Sequence, residues 1–288
     1  RRWHRDDERG RILGHPYPSR ELRADRKLLQ QMSSQPKISF EDVHLAFGPK
    51  KVLRGVDLAV DPGESLVIIG GSGSGKSVLI KTVLGITRPD KGVVTVDGED
   101  IVVASARLRN TVNAKIGMLF QGGALFDSLP VWENVGFGLI QSGAMDRQQA
   151  RVKAIDTLAR VGLDEHVSTL LPVELSGGMQ KRVALARAIA DEPEVIFFDE
   201  PTTGLDPIMS DVINKLIVEC VRDLGATAVT ITHDMRSART IADKVAMIYE
   251  GRIIWTGDVK ELDAPDHEMV DQFVHGCAEG PIQMAVRR

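Results

Sequence analysis

A glycine-rich stretch that ends in a lysine and a serine is the first group of residues whose spacing points to chemistry. Residues 70–77 fill every fixed position of the pattern G-x-x-x-x-G-K-[ST]. Glycines leave backbone N–H groups free to converge on phosphate oxygens, and the Lys76 ammonium would reach the outer phosphates. The Ser77 hydroxyl would bind the Mg²⁺ that accompanies them. The predicted binding loop for a nucleoside triphosphate comprises Gly70, Gly71, Ser72, Gly73, Ser74, Gly75, Lys76 and Ser77.

Two adjacent carboxylates follow a short apolar run farther along the chain. Asp199 and Glu200 come directly after residues 195–198, Val-Ile-Phe-Phe, which are typical of a buried strand. Because an unpaired buried charge is costly, acids at this place suggest a use. Asp199 would hold Mg²⁺ through water, and Glu200 would polarise an attacking water as general base. Taken alone, the pair could equally be an ordinary exposed strand end; the phosphate loop favours the catalytic interpretation.

These residues need a scaffold that brings strand ends together, and the sequence predicts one. The Asp97-Gly98 dipeptide is typical of a hairpin turn. Residues 78–84, which follow the phosphate loop, are predicted to form a helix. Helical stretches separate the later strands, which indicates a parallel, doubly wound sheet. Apolar or alternating runs predict strands at residues 38–47, 52–60, 65–69, 93–97, 195–198, 228–232 and 245–249.

Helical patterns dominate residues 102–175, which we interpret as a helical insertion. Asp146 is a suitable N-cap for one of these helices. The apolar face of that helix is predicted to consist of Val152, Ile155, Leu158 and Ala159.

The composition favours a soluble chain and excludes several classes of function. The 288 residues are 43% apolar and carry a formal net charge of −4, so a nucleic-acid partner is not expected. Cys220 and Cys277 have no metal-ligand spacing, which favours two structural thiols in a reducing compartment. Neither a signal peptide nor a membrane span is expected. Residues 1–37 hold ten Arg and Lys against five Asp and Glu and are predicted to form a disordered extension, with or without a function.

Residues 175–180, LSGGMQ, resemble the LSGGQ signature of ATPases of ABC transporters, with Met in the fifth place. A serine and two glycines before a helix make a second anion site, and the Asp199-Glu200 pair follows about twenty residues on, as the family pattern requires. The resemblance spans residues 38–255. It implies an α/β P-loop NTPase fold with a mainly parallel sheet, an N-terminal antiparallel β subdomain and an inserted α-helical subdomain at about residues 102–180. The ATPase domain would cover residues 38–258, followed by a tail at 259–288.

The same resemblance assigns roles to four more residues. Gln121 matches the glutamine that touches Mg²⁺ and the water, and His233 matches the switch histidine that contacts the γ-phosphate. Asp206 matches the D-loop aspartate, for which the resemblance implies a place in the nucleotide site. Phe47 matches the aromatic residue that stacks on adenine, although an aromatic at a strand end is often simply part of the core.

The family pattern also implies partners. Two copies of the chain would sandwich two ATP molecules head to tail, with Mg²⁺, so that Ser176, Gly177 and Gly178 of one copy complete the site of the other. A transmembrane permease would receive the motion, and the chain would lie peripherally on the cytoplasmic face of the inner membrane.

Residues 118–129 and 272–282 resemble a narrower group, the Mla/Mkl-type ATPases of phospholipid transport that work with MCE-domain proteins. The tail would clasp the second subunit. A set of apolar residues in the insertion could be core or could line a groove for the permease: Phe120, Leu125, Phe126 and Trp132. Three alternatives stay open: another cargo such as an amino acid, a metal or a lipoprotein; a non-transport ABC ATPase; and a nucleotide-binding scaffold without turnover.

Overall fold

Two β-sheets form the framework of the part of the chain that the structure describes. A computed structural model describes residues 35–283, so the predicted disorder of residues 1–34 lies outside the described part of the chain. The strands are β1 (Ile38–Phe47), β2 (Lys50–Val60), β3 (Ser65–Ile69), β4 (Lys91–Val96), β5 (Glu99–Asp100), β6 (Ile116–Leu119), β7 (Val195–Asp199), β8 (Thr227–Ile231), β9 (Lys244–Tyr249) and β10 (Arg252–Asp258).

The smaller sheet is antiparallel, and the larger one is mainly parallel. The strand order is β2-β1-β4-β5 in the smaller sheet and β10-β9-β3-β8-β7-β6 in the larger one. All neighbours in the larger sheet run parallel except β10, which pairs antiparallel with β9. Strands β3 and β8 are buried at every residue, which explains why their sequences are mostly apolar and show no polar alternation.

The helices connect these strands. They are α1 (Lys76–Val83), α2 (Ala106–Asn113), α3 (Val131–Val135), α4 (Phe137–Gln141), α5 (Arg147–Arg160), α6 (Gly177–Ile189), α7 (Pro207–Leu224), α8 (Met235–Ile241) and α9 (Glu268–His275), with 3₁₀ turns at Glu165–Thr169, Pro172–Glu174 and Val259–Asp263. The fold confirms the predicted α/β class with its N-terminal antiparallel sheet. Among the described residues, none of the helices is both long and apolar enough to span a bilayer.

The predicted helical interval needs a correction. It contains β6, which pairs in parallel with β7 and so belongs to the larger sheet. Gly117 in this strand lies so close to the Ala188 carbonyl that an added Cβ atom would be only 2.1 Å from the oxygen. A four-residue strand with a central glycine is too short to display a period of two. The contiguous helical part therefore begins after residue 119.

Helix α5 begins at the predicted N-cap, but its buried face matches the predicted one only at Leu158 and, in part, at Ile155. Asp146 accepts hydrogen bonds from the backbone of Gln148 and Gln149, and Gln149 completes a capping box. Val152 and Ala159 are exposed. The buried stripe consists of the small residues Ala150, Ala154 and Thr157, which permit close packing, together with the predicted Leu158. Single exposed apolar side chains are common, so Val152 was a poor marker of the face.

The beginning of the C-terminal tail packs on the chain's own core. The 3₁₀ turn at Val259–Asp263 contacts α8, β9 and β10. Leu262, Val270 and Val274 are buried in the same cluster as the strands of the larger sheet. The Gln272 side chain then hydrogen bonds to the backbone of Cys277 and Ile282 and fastens the following segment to α9. The clasp predicted for residues 259–288 remains a prediction.

We expect Gly92→Ala to lower the free energy of unfolding by about 3 kcal/mol. Gly92 has φ 97°, and an added Cβ atom would lie 2.4 Å and 2.6 Å from the carbonyl oxygens of Asp42 and Glu41. These oxygens belong to backbone at a bulge in β1, which cannot move aside without breaking the β1–β4 pairing. Urea unfolding followed by circular dichroism measures the change.

Gly63→Ala is the matched control for this prediction. Gly63 also has a positive φ, 74°, but no atom lies within 4 Å of an added Cβ atom. Its substitution should cost only the left-handed backbone conformation, about 1–2 kcal/mol. Equal costs at the two positions would refute the steric explanation.

Candidate functional site

The phosphate loop joins the end of β3 to the start of α1. Gly70 has φ 154°, and an added Cβ atom would lie 2.3 Å from the Ile248 carbonyl oxygen in β9. Only glycine therefore fits at the start of this loop. The end of the loop leads directly into the first turn of α1, where unpaired backbone N–H groups favour an anion.

Lys76 is buried and folded back against its own loop. Its Nζ atom donates to the carbonyl oxygens of Gly70 at 2.7 Å and Gly71 at 2.9 Å. Burial lowers the pKa of the Lys76 ammonium, and the nearby carboxylates of Glu200 and Asp199 act in the opposite direction. The cation is thus fixed between the loop and two acidic side chains.

The Ser77 hydroxyl and the Asp199 carboxylate form a polar pair. Ser77 lies in the first turn of α1, and Asp199 is the last residue of β7. Ser77 Oγ donates to Asp199 Oδ1 at 3.2 Å. Burial raises the pKa of the Asp199 carboxyl, while the hydrogen bond from Ser77 acts in the opposite direction. A partly buried carboxylate beside a hydroxyl suits a hard divalent cation, which would offset the cost of its charge.

Glu200 is held at the strand ends by its backbone and by two side chains. It has φ 50°, an uncommon value for a residue other than glycine, and its N–H donates to the Ile231 carbonyl at 2.9 Å. The His233 Nδ1 atom lies 2.8 Å from its carboxylate. Thr203 Oγ1 donates to the same carboxylate at 3.1 Å. Side chains in the loops that follow β7 and β8 therefore hold the Glu200 carboxylate in one orientation, as a proton acceptor would require.

One cleft of about 550 Å³ brings most of the predicted residues together. Its lining includes the half-exposed Phe47, the exposed Gln121, and the Glu200–His233 pair. It also includes Gly71, Ser72, Gly73, Gly75, Lys76 and Ser77 of the phosphate loop. An apolar ring, a phosphate cradle and a carboxylate thus share one space, as binding and hydrolysis of a nucleotide would require.

The segment that follows Gln121 is attached to α6. Lys181 Nζ donates to the Gln121 carbonyl. The Arg187 guanidinium donates to the carbonyls of Gly123 at 2.6 Å and Ala124 at 2.7 Å. Burial lowers the pKa of both cations. Gln121 therefore lies in the cleft on a loop that α6 holds through its backbone.

Seven predicted residues do not line the cleft, and three of them, Gly70, Ser74 and Asp199, lie beside residues that do. The other four lie at the starts of α6 and α7. Ser176 caps α6, accepting from the Met179 N–H at 3.3 Å, and Gly177 and Gly178 form the first turn of that helix. Asp206 caps α7, accepting from the N–H groups of Ile208 and Met209. Their predicted contacts with nucleotide are not made within one chain and stay predictions.

The cleft also contains residues that the sequence did not single out. Lys50, Val52 and Val78 line it from β2 and α1, and Phe273 lines it from α9. Val52 lies in the strand predicted over residues 52–60, Val78 lies in the helix predicted over residues 78–84, and Lys50 comes just before that strand, so all three could have been found from these elements. Phe273 offers no such signal, because its approach to the phosphate loop depends on how the tail folds back. Thr203 likewise gave no signal.

Comparison with known proteins agrees with a cleft that binds and hydrolyses a nucleotide. The family model described as ABC transporter matches residues 53–203, which is more than half of the chain. The Arabidopsis thaliana protein TRIGALACTOSYLDIACYLGLYCEROL 3, chloroplastic, is 39% identical over 264 residues, covering 85% of this chain and 75% of the relative.

Two bacterial relatives are similarly close. The Escherichia coli K12 intermembrane phospholipid transport system ATP-binding protein MlaF is 38% identical, covering 85% of this chain and 91% of MlaF. The Mycobacterium tuberculosis probable ribonucleotide transport ATP-binding protein mkl is 36% identical, covering 83% of this chain and 67% of mkl. Both bear out the resemblance to the Mla/Mkl group.

The fold of a solved ABC cassette agrees with these relatives. A structure described as a dimeric post-hydrolysis state of the cassette MJ0796 bound to ADP and Pi has a TM-score of 0.71 and 30% identity, covering 77% of this chain and 98% of that one. The cleft described above, the family match and this likeness converge. The chain belongs to the ABC transporter family and is one of its ATPases.

Proposed function

We propose that the chain powers phospholipid movement between membranes, together with a permease and an MCE-domain protein. The observation that carries this proposal is the alignment over 91% of MlaF, a protein named for intermembrane phospholipid transport. The name of the Arabidopsis relative likewise refers to a diacylglycerol lipid. The mkl relatives are named for ribonucleotide transport, so a ribonucleotide is the competing cargo.

The geometry of the cleft supports specific roles in ATP hydrolysis. Backbone N–H groups of the phosphate loop and Lys76 would hold the phosphates, and Phe47 would stack on adenine. Ser77, Asp199 and Gln121 would hold Mg²⁺, which neutralises phosphate charge when bound. Glu200 would accept the proton of the attacking water. His233 would contact the γ-phosphate while its ring orients the Glu200 carboxylate.

A second copy of the chain would complete each site. Ser176, Gly177 and Gly178 lie outside the cleft of their own chain, at the start of α6, where a helix N-terminus favours an anion. In a head-to-tail dimer they would meet the γ-phosphate held by the partner copy. The dimeric state of the cassette MJ0796 supports this arrangement.

The permease would dock on the helical part of the chain at the cytoplasmic face of the inner membrane. Phe120 and Phe126 are exposed there, at 38% and 42% of their surfaces. Leu125 and Trp132 pack partly against the core. The first two residues therefore favour the groove interpretation, whereas the other two serve the core as well.

Outside residues 1–37, the chain carries no excess of basic residues that would favour a nucleic-acid partner.

A gentle pull-down of the full chain from its native membranes tests the lipid assignment. Mass spectrometry should identify a multispanning permease, an MCE-domain protein and bound phospholipid. A permease recovered with a different soluble binding protein would leave the ATPase in place and overturn the phospholipid proposal. Recovery of ribonucleotide in place of lipid would favour the competing cargo.

A further inference from the structure

A buried serine hydroxyl lies behind the Glu200–His233 contact. Ser237 belongs to α8 and has no exposed surface. Its Oγ atom lies within hydrogen-bond distance of Asp234, Asn214 and Thr202. Asn214 lies in α7, and Thr202 lies in the loop between β7 and α7. Both are buried, so the network has little contact with solvent.

The direction of each hydrogen bond follows from the chemistry of its partners. A serine hydroxyl has one proton and two lone pairs. Ser237 donates to Asp234 Oδ2 at 2.7 Å and accepts from Asn214 Nδ2 at 2.9 Å. Because its proton is already used, Thr202 Oγ1 must donate to it across 3.2 Å. The hydrogen-bonding capacity of Ser237 is therefore completely filled.

This oxygen atom joins the two segments that carry the catalytic pair. Thr202 follows Glu200 by two residues, and its neighbour Thr203 donates to the Glu200 carboxylate. Asp234 follows His233 directly and also caps α8 by accepting from the Arg236 N–H at 2.9 Å. Ser237 thus connects the chain just after Glu200 with the chain just after His233.

We propose that Ser237 is a positioning residue that sets the separation between the Glu200 carboxylate and the His233 ring. The proposal rests on the roles proposed for Glu200 and His233. Removal of the hydroxyl in Ser237→Ala would leave the Asn214 amide and the Thr202 hydroxyl without their acceptor, so the two segments would repack. A displacement of about 1 Å at a reacting group can cost up to ~100-fold in rate.

The test compares Ser237→Ala with Ser39→Ala in the full-length protein. Ser39 is also buried and shares a hydrogen bond of 2.8 Å with Thr95, but it lies in the antiparallel sheet. We expect Ser237→Ala to lower kcat by about 10-fold to 100-fold and to leave ATP affinity within about 2-fold. Ser39→Ala should leave kcat near the wild-type value.

A spectroscopic measurement separates positioning from a general loss of stability. The His233 ring resonance, assigned by its loss in His233→Gln, should differ between wild type and Glu200→Gln because the contact partner changes. Ser237→Ala should move that resonance away from its wild-type position, whereas Ser39→Ala should not. Thr202→Val removes one hydrogen bond of the network and should act in the same direction if Ser237→Ala fails to fold.

The outcomes distinguish this proposal from the one on which it rests. The measurement is made on Ser237→Ala or, if that variant does not fold, on Thr202→Val. The positioning role would be overturned if the His233 resonance were unchanged and kcat were equal to that of Ser39→Ala. If Ser237→Ala shifts the His233 resonance and the separate variant Glu200→Gln still turns over ATP, the positioning role is supported and Glu200 loses its general-base role.

Discussion

Glu200→Gln should lose at least ~100-fold in ATP turnover and still bind ATP. The amide has nearly the same shape as the carboxylate and can still pair with His233 and Thr203, whose contacts measure 2.8 Å and 3.1 Å. It cannot accept the proton of the attacking water at neutral pH. ATP should therefore remain bound between two copies of the chain. Phosphate release measures turnover, and light scattering with ATP measures the stable dimer.

Glu219→Gln is the control for this experiment. Glu219 is an exposed carboxylate on α7, so the same chemical change there should affect neither turnover nor dimerisation. Wild-type turnover in Glu200→Gln would eliminate Glu200 as the general base. Loss of turnover without a more stable ATP-bound dimer would instead contradict the proposed head-to-tail arrangement.

Lys76→Ala should weaken ATP binding by about 10-fold to 100-fold and abolish measurable hydrolysis at ordinary ATP concentrations. The ammonium is the cationic group fixed inside the phosphate loop by the carbonyls of Gly70 and Gly71. A charge-assisted hydrogen bond to phosphate contributes more than a neutral one, and no other loop side chain replaces it. Calorimetric titration with ATP measures the affinity.

Lys50→Ala provides the matched control, because Lys50 lines the same cleft but is exposed. If Lys76 acts through a specific contact, Lys50→Ala should change the affinity only slightly and in a salt-dependent way. Equal losses at both positions would indicate that general positive charge attracts the nucleotide. Retention of wild-type affinity in Lys76→Ala would remove Lys76 from the binding site.

The sequence predicted those parts of the site in which local pattern and chemistry coincide. The phosphate loop and the Asp199-Glu200 pair were found because fixed spacing and an apolar strand are both visible within ten residues. Gln121, Phe47 and His233 were found through resemblance, and the structure places all three in the cleft.

Other features depend on packing that a local pattern does not contain. Strand β6 has four residues and β10 forms an antiparallel edge, so neither was predicted. The buried stripe of α5 contains alanines that resemble surface residues in sequence. Phe273 reaches the cleft only because the tail folds back, and Ser237 gains its partners from two other segments.

The tail that packs on the core also has a practical consequence for anyone who expresses this protein. The family match ends at residue 203, yet the buried side chains continue through Leu262 and Val270 to Val274. A fragment trimmed to the match would lose three strands of the larger sheet, and one that stopped at residue 258 would expose an apolar face. Either fragment should aggregate during purification, so an expressible unit has to retain helix α9.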